Sequence, residues 1–299
     1  MNDDPFLQTL LPSTHDLCGF KVHRVLPRRE RRTIGPFIFF DQMGPATLDP
    51  GAGLDVRPHP HINLATVTYL FAGAIDHRDS LGTFARIEPG AVNLMTAGGG
   101  ITHSERSPAE LRPAGPVLSG IQTWLALPSD KEEMDAAFEH VGKDALPLVE
   151  ARGARARVVM GTLWGATSPV TCHSPTIYAD IHLSAGGAMP LDAEADERAV
   201  FLAEGDATLD ASALAPSTLY VLRPGIAATL RSAEGGHVML CGGAPLDGPR
   251  HVWWNFVSSR PERIEQAKAD WRAGRFPLPP DDNGEFIPLP EAPITVTYP

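Results

Sequence analysis

The stretch Gly53-Leu54-Asp55-Val56-Arg57-Pro58-His59-Pro60-His61 decides how this chain is read. Residues at i and i+2 of a strand point to one face. His59 and His61 can therefore aim both imidazoles at a single ion, at about 2.0–2.2 Å from each nitrogen. Further on, Thr102-His103-Ser104-Glu105 places a histidine and a carboxylate at the same spacing. If the two segments lie side by side, three neutral nitrogens and one anionic oxygen converge. Imidazole suits zinc, copper, iron and nickel, and a carboxylate adds a harder donor. On an octahedral ion four protein ligands leave about two positions open, as O2 or Lewis-acid chemistry requires. A bland reading stands beside this one, because either pair met singly is commonly an incidental feature of a loop. Each pair here adjoins Gly and Pro in a strand-like segment, which keeps the metal reading open.

The surrounding sequence reads as β structure. Pro36 to Gly44, Ala65 to Ile75 and Gly120 to Leu127 are rich in apolar, aromatic and β-branched residues and end at Gly or Pro. The 28 glycines and 29 prolines make up roughly a fifth of the 299 residues, against a usual share of about 12%. With 43% hydrophobic residues there is material for a core, so short strands and tight turns are expected: an all-β sandwich or barrel. Gly98-Gly99-Gly100 is not a phosphate loop, since neither a helix nor a Lys-Ser/Thr pair follows it. Two helices are expected. Ser129 and Glu132 have capping-box spacing and predict a short helix to about His140. Ser259 and Glu262 repeat the signal, with Pro261 in the first turn, Ile264, Ala267 and Trp271 on one face, and Gly274 as the stop. Phe276 to Pro299 reads as an extended tail anchored by Phe286, Ile287 and Leu289.

The net charge of −11 argues against direct nucleic-acid binding. Arg28, Arg29, Arg31 and Arg32, with Glu30 among them, read as a solvated loop rather than a basic patch. Cys18, Cys172 and Cys241 are odd in number and lack C-x-x-C spacing, so neither a disulfide framework nor a thiolate zinc site is indicated. The start Met-Asn-Asp-Asp lacks a signal-peptide pattern, and no apolar run approaches the ~18 residues of a spanning helix. The expectation is a soluble, cytoplasmic protein.

A faint internal repeat suggests two copies of one β unit. Tyr69-Leu-Phe-Ala-Gly73 resembles Phe201-Leu-Ala-Glu-Gly205 at an offset of 132, and Gly99-Gly100 and Gly235-Gly236 lie at an offset of 136. Two domains are expected, 1–140 with the metal ligands and 141–299 with the helix and tail. The 132 offset maps His59 to Leu191 and His61 to Ala193. Near the later position only His237 remains, with Met239 two residues on, so the second domain is expected to be without a metal site.

Gly53, His59 and His61 fill the first half of the cupin motif, G-x5-H-x-H, and Gly73 fits its closing glycine. Thr66 stands where the usual cupin Glu would be, and Gly98 replaces a proline of the second motif. The missing carboxylate reappears as Glu105, which resembles the pirin branch. Arg57-Pro-His-Pro-His61, Leu64-Ala-Thr-Val-Thr-Tyr-Leu-Phe71, His77-Arg-Asp-Ser-Leu-Gly82, Met95-Thr-Ala97 and His103-Ser-Glu-Arg106 resemble pirin sequence, as do Phe39-Phe-Asp41, Met43-Gly-Pro45 and Gly120-Ile-Gln122. The resemblance is dense from Gly19 to Pro128 and weaker beyond. Leu94 stands where a pirin usually has Trp, and Gly99 where Arg is frequent.

The resemblance implies two tandem cupin (jelly-roll-like) barrels and one mononuclear divalent metal ion held by His59, His61, His103 and Glu105. Iron is the metal it implies, with nickel, copper, manganese, cobalt and zinc as alternatives. It further implies flavonol (quercetin) 2,3-dioxygenase activity, with Glu105 as the group that takes the 3-hydroxyl proton of a flavonol-like aromatic substrate. The alternative from another class is a metal- or redox-sensitive regulatory module with a protein partner. A monomer is expected, because two fused cupins mimic the dimer of single-domain relatives. His77 reads as a structural or supporting histidine. Gln122 fits either a hydrogen bond toward the site or an exposed strand face. Trp253 and Trp254 read as core or domain-interface aromatics rather than a stacking platform. His173 and His182 read as ordinary histidines, without a partner at ligand spacing.

Overall fold

Alternation of apolar and polar residues along short strands builds a chain that is almost entirely antiparallel sheet. The computed structural model describes residues 4–17, 20–292 and 295–298, so Cys18 and Gly19 lie outside the described residues. Two compact units form, each from several segments: Met1–Thr14, His23–Gln42 and Val141–Pro245 in one, and His15–Val22, Met43–His140 and Leu246–Pro299 in the other. The passage at 140/141 is one of several crossings between units; the strands Phe20–Leu26 and Phe37–Thr47 each run through another. The helix and tail belong with His59 rather than with residues 141–245.

In the His59 unit a four-stranded sheet runs in the order Asp55–His61, Ile101–Arg106, Ile75–Asp79, Phe84–Ile87. A larger sheet contains Ala137–Val141, Val92–Thr96, Leu64–Ala72 and Val117–Ala126 as successive neighbours. Phe20, Val22, Leu54, Leu70, Ile75 and Leu118 form one of this unit's apolar cores. The second unit repeats the plan. Seven strands run Phe6–Leu10, Leu219–Leu222, Glu197–Gly205, Gly235–Gly243, Thr176–Ser184, Ala154–Met160, Leu148–Ala151, and a second sheet runs Ala188–Leu191, Ala228–Arg231, Ala207–Leu209, Ser212–Leu214.

One half of the sequence repeat is real. Gly73 and Gly205 close equivalent strands with φ of +85° and +78°. A Cβ at Gly73 would sit 2.0 Å from the Val117 carbonyl oxygen, and one at Gly205 would sit 2.3 Å from that of Gly235. Glycine is required at both corners. The same contacts make Val117, not Gly99-Gly100, the counterpart of Gly235, so the second repeat match is a coincidence of composition.

The helix expected from Ser129 to His140 is absent. Ser129–Lys131 is a single 3-10 turn, and Ala137–Val141 is a strand. Tertiary partners take both capping residues: the Ser129 hydroxyl donates to Asp247 at 2.7 Å, and the Glu132 carboxylate pairs with Arg250 at 3.1 Å and accepts from both Ser258 and Ser259. The second helix, Pro261–Arg272, forms as expected, burying Ile264, Ala267 and Trp271, although Ser259 is spent on Glu132 rather than on a cap. Trp253, Trp254, Phe276 and Leu289 pack around that buried face. The tail is tied down, Trp271 Nε1 donating to the Ile287 carbonyl and the Ile287 N–H to the Pro58 carbonyl. Among the described residues no helix is long and apolar enough to cross a membrane.

Glu132 and Arg250 are both buried, and removing one partner of a buried pair strands the other charge. Glu132→Ala is expected to cost about 3–5 kcal/mol in urea denaturation. A loss below about 1 kcal/mol would show that the pair behaves as a surface salt bridge.

Candidate metal centre

Strand register brings the two sequence motifs together. Asp55–His61 and Ile101–Arg106 are antiparallel neighbours, with His103 directly opposite His59 and Ile101 opposite His61. A register shift between His103 and Glu105 adds one residue to that ladder, and such a bulge re-aims side chains. The imidazoles of His59, His61 and His103 converge, with one ligand nitrogen of each within 4.8 Å of the others. Ring centroids lie 4.4 Å apart for His59 and His103 and 5.1 Å apart for His61 and His103.

The hydrogen bonds set which nitrogens face inward. The Arg57 carbonyl can only accept, so His59 Nδ1–H donates to it at 2.9 Å and the Nε2 lone pair is left for the site. On the other side Asp79 Oδ1 accepts from the Leu81 and Thr83 N–H groups, and Oδ2 accepts from His77 Nε2–H at 3.0 Å. With its proton on Nε2, His77 turns Nδ1 toward His103 Nδ1, 3.4 Å away. His103 Nδ1–H donates to it, and His103 Nε2 is buried with no hydrogen-bond partner. Phe138 stacks on His77 at 4.5 Å, and Trp124 stands edge-on to His61 at 5.2 Å, fixing both rings.

Burial holds all three imidazoles neutral. It pulls His59 down to about 4 against the help of the Arg57 carbonyl, and pulls His61 and His103 well below the ordinary histidine range, with neighbouring imidazoles adding to the effect. Burial also raises the Glu105 carboxyl, while the Gln122 amide works to lower it. Glu105 stands apart from the close three-histidine group. Gln122 Nε2 donates to its oxygens at 2.9 and 3.1 Å, and Thr68 Oγ1 donates to Oε1 at 3.5 Å. Three buried neutral imidazoles, two of them ordered by hydrogen bonds and with His61 Nδ1 and His103 Nε2 left unpartnered, are a donor set that a metal ion fits. His59, His61 and His103 could hold one mononuclear ion, with Glu105 on the same strand as a further oxygen donor.

The comparisons agree with this geometry. The pirin family model matches residues 19–125, and the model for the pirin C-terminal cupin domain matches residues 178–277. A pirin-like protein of Caulobacter vibrioides is 50% identical over 92% of this chain and 96% of its own. The chain belongs to the pirin family. A Pseudomonas aeruginosa pirin relative, provisionally named quercetin 2,3-dioxygenase, is 37% identical over 86% of this chain and 80% of its own. The crystal structure of a quercetin 2,3-dioxygenase from Acinetobacter baumannii superposes with a TM-score of 0.90 at 35% identity, covering 96% of each chain. The two-barrel cupin architecture of a pirin is therefore the fold of this chain.

In this pirin Gln122 faces the site, and His77 is a supporting residue paired through Asp79. Thr68 and Trp124 escaped the sequence reading. Strand periodicity could have found them, since Trp124 stands at i+2 from Gln122 and Thr68 at i+2 from Thr66, the position of the missing cupin carboxylate. The second unit differs at the equivalent ladder. Leu191 and Ala228 are paired there and lie in the apolar core.

Two outcomes are expected. Asp79→Asn removes the anion that orders the His77–His103 pair, and metal affinity should fall about 10–100-fold in a chelator competition; unchanged affinity would make Asp79 a turn residue only. The second concerns pH. His59 has a folded pKa of about 4 against an ordinary 6.5, so the unfolded chain binds more protons between those values. Stability of the metal-free protein should therefore fall as pH drops through that window, and the fall should be shallower in His59→Ala/His61→Ala/His103→Ala. Thermal melts across the window check it.

Proposed function

We propose that the chain is a metal-dependent flavonol (quercetin) 2,3-dioxygenase, with His59, His61, His103 and Glu105 as ligands and iron as the metal. The observation that carries the reading is Glu105, a buried carboxylate of raised pKa two residues from His103 on the strand that carries one of three buried neutral imidazoles. The names of the Pseudomonas and Acinetobacter relatives support the substrate class. A bound ion supplies Lewis-acid and O2 redox chemistry at the positions that the protein ligands leave open.

The chain's own residues do the rest. Glu105 accepts the proton of the flavonol 3-hydroxyl, and desolvation makes it a stronger base than an exposed carboxylate. Gln122 holds both carboxylate oxygens and keeps the anion aimed into the site. The Arg57 carbonyl and the Asp79–His77 pair fix the tautomers of His59 and His103. A cytoplasmic monomer completes the proposal; Cys241 is a buried free thiol, which suits a reducing compartment.

Oxygen uptake on quercetin, with metal content measured on the same samples, tests the reading. Glu105→Gln should lower turnover about 10²–10⁴-fold. Metal binding without any turnover in the parent chain would sink the enzyme and favour the regulatory alternative. Gln122→Leu removes a hydrogen bond that favours ionised Glu105, so the acidic limb of the kcat/KM profile should move to higher pH. An unmoved limb would show that Glu105 is not the titrating base.

A further inference from the structure

The described residues hold a second convergence of metal-ligating atoms, Asp180, His182 and His237, in the second unit. Asp180 and His182 are two apart on Thr176–Ser184, and His182 is directly paired with His237 of Gly235–Gly243. Ile181, Leu183, Val238 and Leu240 fill the barrel core from the intervening positions. Alternation therefore puts the three ligand candidates on the opposite face of the sheet. Cross-strand pairing sets the two imidazoles side by side, stacked at 4.1 Å with an 18° interplanar angle. Both Nε2 atoms approach the same oxygen, Asp180 Oδ1, at 2.6 Å from His237 and 3.2 Å from His182.

We propose that Asp180, His182 and His237 form a second metal site, which takes a divalent transition-metal ion such as zinc through two imidazoles and one carboxylate. Adjacent ligands on an ion with bonds of about 2.0–2.2 Å lie roughly 3 Å apart, and the two measured separations bracket that value. Two histidines and one carboxylate on one side of an ion are an established ligand set that leaves positions open. The open side here is outward: the His182 side chain is 45% exposed, while Asp180 and His237 are buried. The ion can enter at His182 and meet a preformed buried pair. Burial opposes charge on Asp180, but hydrogen bonds from His182 and His237 outweigh it and hold the carboxyl well below the ordinary range. The ligand anion is thus present before an ion arrives. Binding requires both imidazoles to present an Nε2 lone pair, with the ring proton on Nδ1. Arg155 stands opposite His182 and Glu204 opposite His237 in the ladder, so neighbouring register positions carry one charge of each sign.

This site is not a remnant of the His59 centre, whose equivalent ladder is Ala188–Leu191 with Ala228–Arg231, and it is independent of the dioxygenase reading. The competing account is a carboxylate that merely accepts two N–H bonds. Tag-free, chelator-stripped chain titrated with Zn²⁺ by calorimetry, with bound metal counted after gel filtration, separates the two. The parent should bind two equivalents. His59→Ala/His61→Ala should keep one, and adding His182→Ala or Asp180→Asn should abolish it. Zn²⁺ should raise the Tm of the double variant but not of the triple variants. His182 faces solvent, so its replacement decides the matter should Asp180→Asn fail to fold. No bound Zn²⁺ in the double variant, or an equivalent that survives His182→Ala, would overturn the proposal.

Discussion

Taking three imidazoles out of water between β-strands is the constraint on which the His59 centre depends. A buried, unpaired imidazole loses its hydration and must recover it through hydrogen bonds or a metal. Each outer nitrogen that the structure commits has a stated partner, the Arg57 carbonyl for His59 and His77 for His103. The inward nitrogen of His103 has none. His61 Nδ1 is likewise unpartnered, and these unsatisfied buried nitrogens make the cluster a candidate metal centre rather than a polar core.

The support extends well beyond the donors. Asp79 is gripped by two backbone N–H groups and His77, so the His103 ring is ordered from three bonds away. Gln122 does the same for Glu105 from another strand. Sheets are suited to such work because their ladders fix the register of every side chain. The extra residue of the bulge lies on the facing strand, between Val56 and His59, so His103 and Glu105 keep one face of a regular strand.

The two units show how one architecture carries different contents. Gly73 and Gly205 turn the same corner, since any Cβ there would strike the neighbouring backbone. Where one unit pairs His59 with His103, the equivalent ladder of the other pairs Met189 with Leu230 and Leu191 with Ala228, all four in the apolar core. The polar chemistry of the second unit moved to the other face of its sheet, where Asp180, His182 and His237 meet.

Local spacing along single strands determined much of this protein without help. His59 and His61, and His103 and Glu105, stand at i and i+2, and a strand obliges such pairs to share a face. The all-β class followed from turn residues and apolar runs, and the helix Pro261–Arg272 from its apolar spacing and Pro261. Only the tertiary structure decided the rest, because the deciding partners are distant in the chain. Ser129 and Glu132 have the spacing of a helix start, but Asp247, Arg250 and Ser258 claim them and leave one 3-10 turn. His182 has Asp180 two residues away on its own strand, but the third ligand candidate, His237, joins them only through sheet pairing. Asp79 reaches His103 only through His77, which no spacing rule connects. Sequence records the periodicity of one strand; which strands become neighbours, and in what register, is set by burial of the faces between them.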